Sequence, residues 1–187
     1  MAQSRKNLPL VVETQFLQDM RAIAGRISEL IANDTKGRVS FERTLAAVLQ
    51  LALSLESTFA VWCWRHVHLE RVNPNPQERG RLRKRAEDAM RDADLIAERL
   101  HQITGTTDFR VEWLPSASEP LVMEQWTIGR ALRDESVADR IAVDCYMQLI
   151  DYVRPHDAPT AAILEGIARS RKRRLKGDIG RAAPRSA

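Results

Sequence analysis

Cysteine is scarce in this 187-residue chain: Cys63 and Cys145 are the only two. They stand far apart in helix-like sequence, which makes neither a disulfide framework nor a zinc pattern. Buried packing thiols and a reducing, cytoplasmic compartment are the expectation. No uninterrupted apolar run reaches the roughly 18 residues of a membrane span, so no membrane partner is expected. The opening MAQSRKNLPLVVETQ carries charge but no continuous apolar segment followed by a cleavage site, and no signal peptide is expected. Strand patterning, internal repeats and low-complexity runs are missing. So are a glycine-rich phosphate loop, a Gly-x-Ser-x-Gly elbow and a His-Glu-x-x-His pair. The familiar signatures of nucleotide hydrolysis, acyl transfer and zinc proteolysis therefore find no support.

What is present is charge, unevenly placed. From Arg169 onward eight basic residues (Arg169, Arg171, Lys172, Arg173, Arg174, Lys176, Arg181 and Arg185) face Asp178 alone, so the last 19 residues carry +7 of a net +4 and leave −3 for the rest. Such a cluster attracts polyanions by releasing their counterions, or simply keeps the chain soluble. A second basic run, Arg79-Gly80-Arg81-Leu82-Arg83-Lys84-Arg85, opens a predicted helix, where positive charge opposes the helix dipole. A partner anion would explain it, as would an ordinary exposed face.

Apolar spacing predicts five helices and an all-α fold. The first spans about 11–32, with Gly37 as its stop. The second runs from Phe41 to Glu70 and ends at Asn73-Pro74-Asn75-Pro76, since proline disfavours helix in the residue before it. The third covers Gln77 to Thr104 with small residues (Ala86, Ala89, Ala93) along its apolar stripe and Gly105 as C-cap. The connection after it is long enough to cross the length of a bundle. Ser118-Glu119-Pro120 reads as the start of the fourth helix, which ends at Val153 and is apolar on several sides between Ile141 and Val153. A fifth starts at Asp157-Ala158-Pro159-Thr160. The expected organisation is an N-terminal segment with an amphipathic helix (1–38), a four-helix bundle (39–177) and a flexible basic tail (178–187).

Asp94-Leu95-Ile96-Ala97-Glu98-Arg99, followed by Gly105, resembles the Asp-x-x-Ala-Glu-Arg signature of the ferritin-like superfamily, in both the starvation-induced DNA-protection proteins (Dps) and the bacterioferritins. Leu45-Ala46-Ala47-Val48-Leu49, Cys63-Trp64-Arg65 and Leu164-Glu165-Gly166-Ile167 are similar to other parts of that pattern. The resemblance covers about Phe41 to Lys176. It implies a ferritin-like four-helix bundle with a long crossover, plus the extra N-terminal helix and the basic tail. It also implies a closed homo-oligomer and iron chemistry.

A di-iron centre needs carboxylates and imidazoles from several helices, including Glu-x-x-His pairs. On the bacterioferritin pattern the first glutamate position falls on Ala52, one Glu-x-x-His pair on Ala89 and Asp92, and the other on Ser170 and Arg173. Glu135 or Asp139 is the acid expected to remain. The Dps arrangement, between subunits, would keep Asp94 and Glu98 as an acid pair on one helix face. Its histidine position is held by Cys63, with His66 (or His68) as substitute. The same residues also read as an ion-paired surface and a packed histidine. The tryptophans Trp62, Trp64, Trp113 and Trp126 fit packing or base stacking. The expected function is thus an oligomeric Dps- or bacterioferritin-like protein with a degenerate iron site, no assigned catalytic residue and no cofactor. It would bind DNA or another polyanion through the basic C-terminal residues. The alternatives are a helical module for a protein partner, and a residual iron-binding ferroxidase using Asp94, Glu98 and His66.

Overall fold

A computed structural model of the chain describes residues 13–37, 39–68, 75–105 and 128–182, and these are all-helical, with no strand among them. Helix α1 spans Gln15–Asp34, α2 Phe41–His68, α3 Pro76–Thr104, α4 Ile128–Val153 and α5 Ala158–Ala182. The expected helices are there, with shifted ends. The expected start of α4 at Ser118-Glu119-Pro120, and the connection that contains it, lie outside the described residues.

Local chemistry sets the ends. Gly37 takes φ +68° just beyond α1, and its N–H donates to the Asp34 carbonyl. The Asn75 side chain accepts from the Gln77 N–H at 2.9 Å and Pro76 fills the first position of α3, where its missing N–H costs nothing. Gly105 adopts the left-handed conformation (φ 67°) that closes α3. At the start of α5 the Asp157 carboxylate accepts from the Thr160 N–H at 3.1 Å and from the Thr160 hydroxyl at 2.8 Å. Arg99, near the end of α3, grips the same carboxylate with Nη2 at 2.7 and 3.0 Å. Burial alone would raise the Asp157 pKa, but these donors hold it below the usual carboxylate range.

Contacts between helix ends give the directions. The Phe41 ring, at the start of α2, lies tilted 5.6 Å from the ring of Tyr152 at the end of α4 and 4.7 Å from that of His156 in the turn just beyond it, so these two helices are antiparallel. Arg81 and Arg85, early in α3, reach Glu135, early in α4, while Arg99 reaches the α4–α5 turn. Helices α3 and α4 therefore run parallel, which no tight turn between them could achieve. Two antiparallel hairpins result, α2–α3 and α4–α5, packed through α2 against α4 and α3 against α5. The pairs α2/α5 and α3/α4 stand on the diagonals, without close backbone approach.

Helix α1 lies along α2 and α4. Phe16, Leu17, Met20, Ile23 and Ile27 join the same apolar core as the other four helices. Phe16 stacks on Trp62 with ring centroids 4.5 Å apart. Thr14 donates to Asp134 at 3.2 Å and Tyr152 donates to Asp34 at 2.6 Å, pinning both ends of α1 to α4. The all-round apolar stretch of α4 is accounted for by its three packing partners, α1, α2 and α5, with Asp144, Gln148 and Asp151 left on the exposed strip. Helix α2 is apolar and long enough to cross a membrane by composition (mean hydropathy 1.5), but 72% of that window is buried in the bundle. A core helix surrounded on several sides has the same composition.

Removing the Asp157 carboxylate takes away a helix cap and the anchor of Arg99 together. An Asp157→Ala protein is expected to lose about 1–2 kcal/mol of stability, measured by denaturant unfolding, while keeping its helical circular dichroism.

Candidate functional site

The centre of the bundle is not apolar throughout. Arg171 of α5 is fully buried, as are Glu56 of α2 and Glu135 and Asp139 of α4. Helical spacing puts them there. In α2 the inward seam runs Leu45, Leu49, Ala52, Glu56, Phe59, Cys63, His66, alternating steps of four and three. In α5 it runs Thr160, Leu164, Ile167, Arg171, Arg174 by the same steps. One charge in each seam falls at the same level.

Arg171 makes a fork to Glu56, with Nε to Oε1 at 3.2 Å and Nη2 to Oε2, and Nη1 donates to Asp139. Its guanidinium carbon lies 4.6 Å from the centre of the Phe59 ring. Tyr146 donates to Glu56 Oε1 at 2.6 Å. On the other diagonal Arg85 approaches Glu135 at 2.6 Å and Asp139 at 4.0 Å, and Arg81 donates to Glu135 at 3.0 Å. Arg174 lies 3.6 Å from Asp139 and 4.0 Å from Asp88. Arginine suits this place: its planar fork matches carboxylates, and its length bridges diagonals that no backbone contact spans.

Burial governs the titration of the groups around it. Burial works against the Arg171 charge, but Glu56 and Asp139 outweigh it and hold the guanidinium pKa above its ordinary value. Burial pushes the Tyr146 phenol up, and Glu56 adds to it. Cys63 is raised by burial and then by Glu135 and Asp139, and burial pushes Cys145 up to about 12, so both free thiols stay protonated. Asp92 of α3 is pushed up to about 7 by burial, with Glu56 adding to the rise and Arg171 and Arg174 opposing it. Its buried Oδ2 has no hydrogen-bond partner among the described residues.

These positions correct several expectations. Ala52 is core, and the carboxylate of α2 is Glu56, one turn further on. Ala89 is core as well, and Asp92 faces the charged centre. Arg173 is exposed and Ser170 half-buried; the guanidinium that enters the interior is Arg171. Glu135 and Asp139 are both present and both committed to arginines. Arg171 therefore cannot contact a polyanion, and Arg174 is half-buried against Asp139. Arg181 and Arg185 have no described side chains. Among the C-terminal cations Arg169, Lys172, Arg173 and Lys176 are exposed. Asp94 and Glu98 lie on the solvent face of α3, whereas His66 is buried in α2, with Nδ1 2.7 Å from the Trp62 carbonyl and its ring 4.1 Å from the Trp62 ring. Burial lowers the His66 pKa. The structure does not gather Asp94, Glu98 and His66 into one group, and among the described residues no three His, Cys, Asp or Glu side chains form a metal-holding cluster.

The residues at the centre do not fit the paired iron ions that the resemblance implies. Glu56 and Asp139 already balance a covalently attached cation, and among the described residues no imidazole joins the carboxylates in a metal-holding group. Sequence reasoning missed Glu56 although it was legible as the lone charge in a strict alternation of four and three. No protein-family model matches the chain, and no curated protein or solved structure is significantly similar to it.

Two outcomes follow from the charged centre. Arg171→Met leaves Glu56 and Asp139 without their shared partner and is expected to cost about 3–5 kcal/mol in denaturant unfolding. Asp92 titrates near 3.8 when unfolded and near 7 when folded, so the folded chain holds the extra proton between those values. Its contribution to stability is full below about pH 4 and lost as the pH rises to about 7. Asp92→Asn is expected to gain on the native protein across that window, by at most about 4 kcal/mol, and to keep a constant margin above it. A flat difference between pH 4 and 7 in thermal unfolding would contradict this.

Proposed function

We propose that this chain is a ferritin-like four-helix bundle, extended by α1, in which an arginine has replaced the metal ions and the remaining function is to bind nucleic acid or a similar polyanion. The parallel run of α3 and α4 between two antiparallel hairpins supports the ferritin-like arrangement. Arg171, wedged between carboxylates of α2 and α4, supports a scaffold without ferroxidase chemistry. The buried, protonated thiols agree with a reducing compartment such as the cytoplasm, and the resemblance favours a closed homo-oligomer.

The observation that carries the binding reading is the division of the basic cluster by the helix itself. Arg171 and Arg174 turn inward, while Arg169, Lys172, Arg173 and Lys176 lie at i, i+3, i+4 and i+7 on one exposed face. No acid occurs in α5 between Glu165 and Asp178. The result is a cationic stripe of about 10 Å at 1.5 Å rise per residue, enough to meet successive phosphates. Contacts of that kind are made to the backbone and carry no sequence information, so binding is non-specific and weakens steeply with salt.

In fluorescence anisotropy with duplex DNA, the Arg169→Gln/Lys172→Gln/Lys176→Gln protein is expected to bind about tenfold or more weakly at low salt. The slope of log affinity against log salt should fall by about 0.9 for each phosphate contact removed. Unchanged affinity and slope would remove the stripe from the account. Native mass measurement of the same proteins tests the assembly, with about a dozen or two dozen copies expected for a closed shell.

A further inference from the structure

The second basic run, at the start of α3, is not used by the α5 stripe, and the fold gives it a different neighbour. The first three turns of α3 and the last turns of α5 flank a cleft of about 590 Å³. Arg81, Lys84 and Arg85 line it from α3 and Arg173 and Arg174 from α5, with Asp88 as the lone carboxylate in the wall. We propose that this cleft is a binding site for a compact, phosphate-rich anion of the di- or triphosphate class. The proposal goes beyond the polyanion reading and does not rest on it, since stripe and cleft share only Arg173.

Size and charge agree with that ligand. The volume is in the range of small-molecule sites, and five cations from two helices converge on one space. The arginines are braced from behind. Glu135, fully buried, holds Arg81 at 3.0 Å and Arg85 at 2.6 Å, and Arg174 is steadied by Asp139 at 3.6 Å and by donation to the Ser170 hydroxyl at 3.3 Å. Glu135 and Asp139 thus lie on the inner side, while the cleft side carries only looser pairs, Glu78 at 3.9 Å from Arg81 and Asp88 at 3.6 Å from Lys84 and 4.0 Å from Arg174, which leaves five cations facing two carboxylates there. Side chains fixed in advance lose little freedom when a ligand arrives. The Arg174 Nε–H is buried and has no hydrogen-bond partner among the described residues, which leaves an unmet donor in the wall.

One cost in the sequence is explained by such a ligand. Gly80 stands inside α3, where glycine costs about 0.5–1 kcal/mol relative to alanine. Packing does not require it, because a Cβ at Gly80 would meet no atom within 4 Å. It keeps the α3 wall of the cleft low.

The test is calorimetric titration of the full chain with pyrophosphate. Saturable binding is expected, with affinity falling about tenfold or more in Lys84→Glu and in Gly80→Leu. Gly80→Leu should unfold at the same temperature as the native chain or higher, which separates a filled cleft from a damaged fold. The Arg169→Gln/Lys172→Gln/Lys176→Gln protein should keep its pyrophosphate affinity, so failure of the stripe and failure of the cleft read differently. Competition by ATP and not by a 5′-phosphorylated oligonucleotide assigns a free di- or triphosphate; the reverse assigns a nucleic-acid end. No binding at millimolar pyrophosphate, undiminished binding by Gly80→Leu, or equal competition by a polyglutamate peptide would each overturn the proposal.

Discussion

The structure turns on one guanidinium. Arg171 sits where the two diagonals of the bundle cross, forked onto Glu56 of α2 and bonded to Asp139 of α4. Helices on a diagonal are too far apart for small side chains to join, and the alanines that let α2 and α3 approach closely leave room at the centre. A long, rigidly charged side chain fills that room and requires carboxylates opposite. Glu56 and Asp139 in turn require a cation, since either one buried alone would cost several kcal/mol. The charges thus fix helix rotation and axial register together, because a shift of one residue in any of these helices would point its charge away from the others.

The same network explains why the C-terminal basic cluster is not one feature. A run of arginines and lysines looks uniform as text, but α5 presents every third or fourth residue to the same side. Arg171 is consumed by buried carboxylates, Arg174 leans on Asp139 at the edge of the cleft, and Arg169, Lys172, Arg173 and Lys176 remain for solvent or a ligand. Arg81 and Arg85 are drawn partly inward by Glu135 in the same way, which places the second basic run against the first. Cleft and stripe are both consequences of satisfying the centre.

The polar interior also bears on chemistry. Burial keeps both thiols protonated, so neither is a ready nucleophile, and it pushes Asp92 to about 7. Glu56, Glu135 and Asp139 are engaged by arginines. An arrangement of this kind specifies a structure and presents charge at the surface.

Much of this was written in the chain itself. Helical periodicity, Gly37, Gly105 and the Asn75-Pro76 and Asp157 starts determined five helices and most of their ends, because capping and apolar spacing act within a few residues. The basic clusters and the lack of any catalytic motif were equally plain. What tertiary structure decided was which charges face each other. By sequence alone Glu56 is one acid in an apolar helix and Arg171 one cation in a tail, and the resemblance points to Arg173, two positions away, as the inward residue. The reason is geometric: a pairing between residues 115 positions apart depends on the rotation of two helices about their axes and their relative height, and neither is encoded in local spacing. Only the packed bundle brings Arg81 and Arg174, far apart along the chain, to the walls of one cleft.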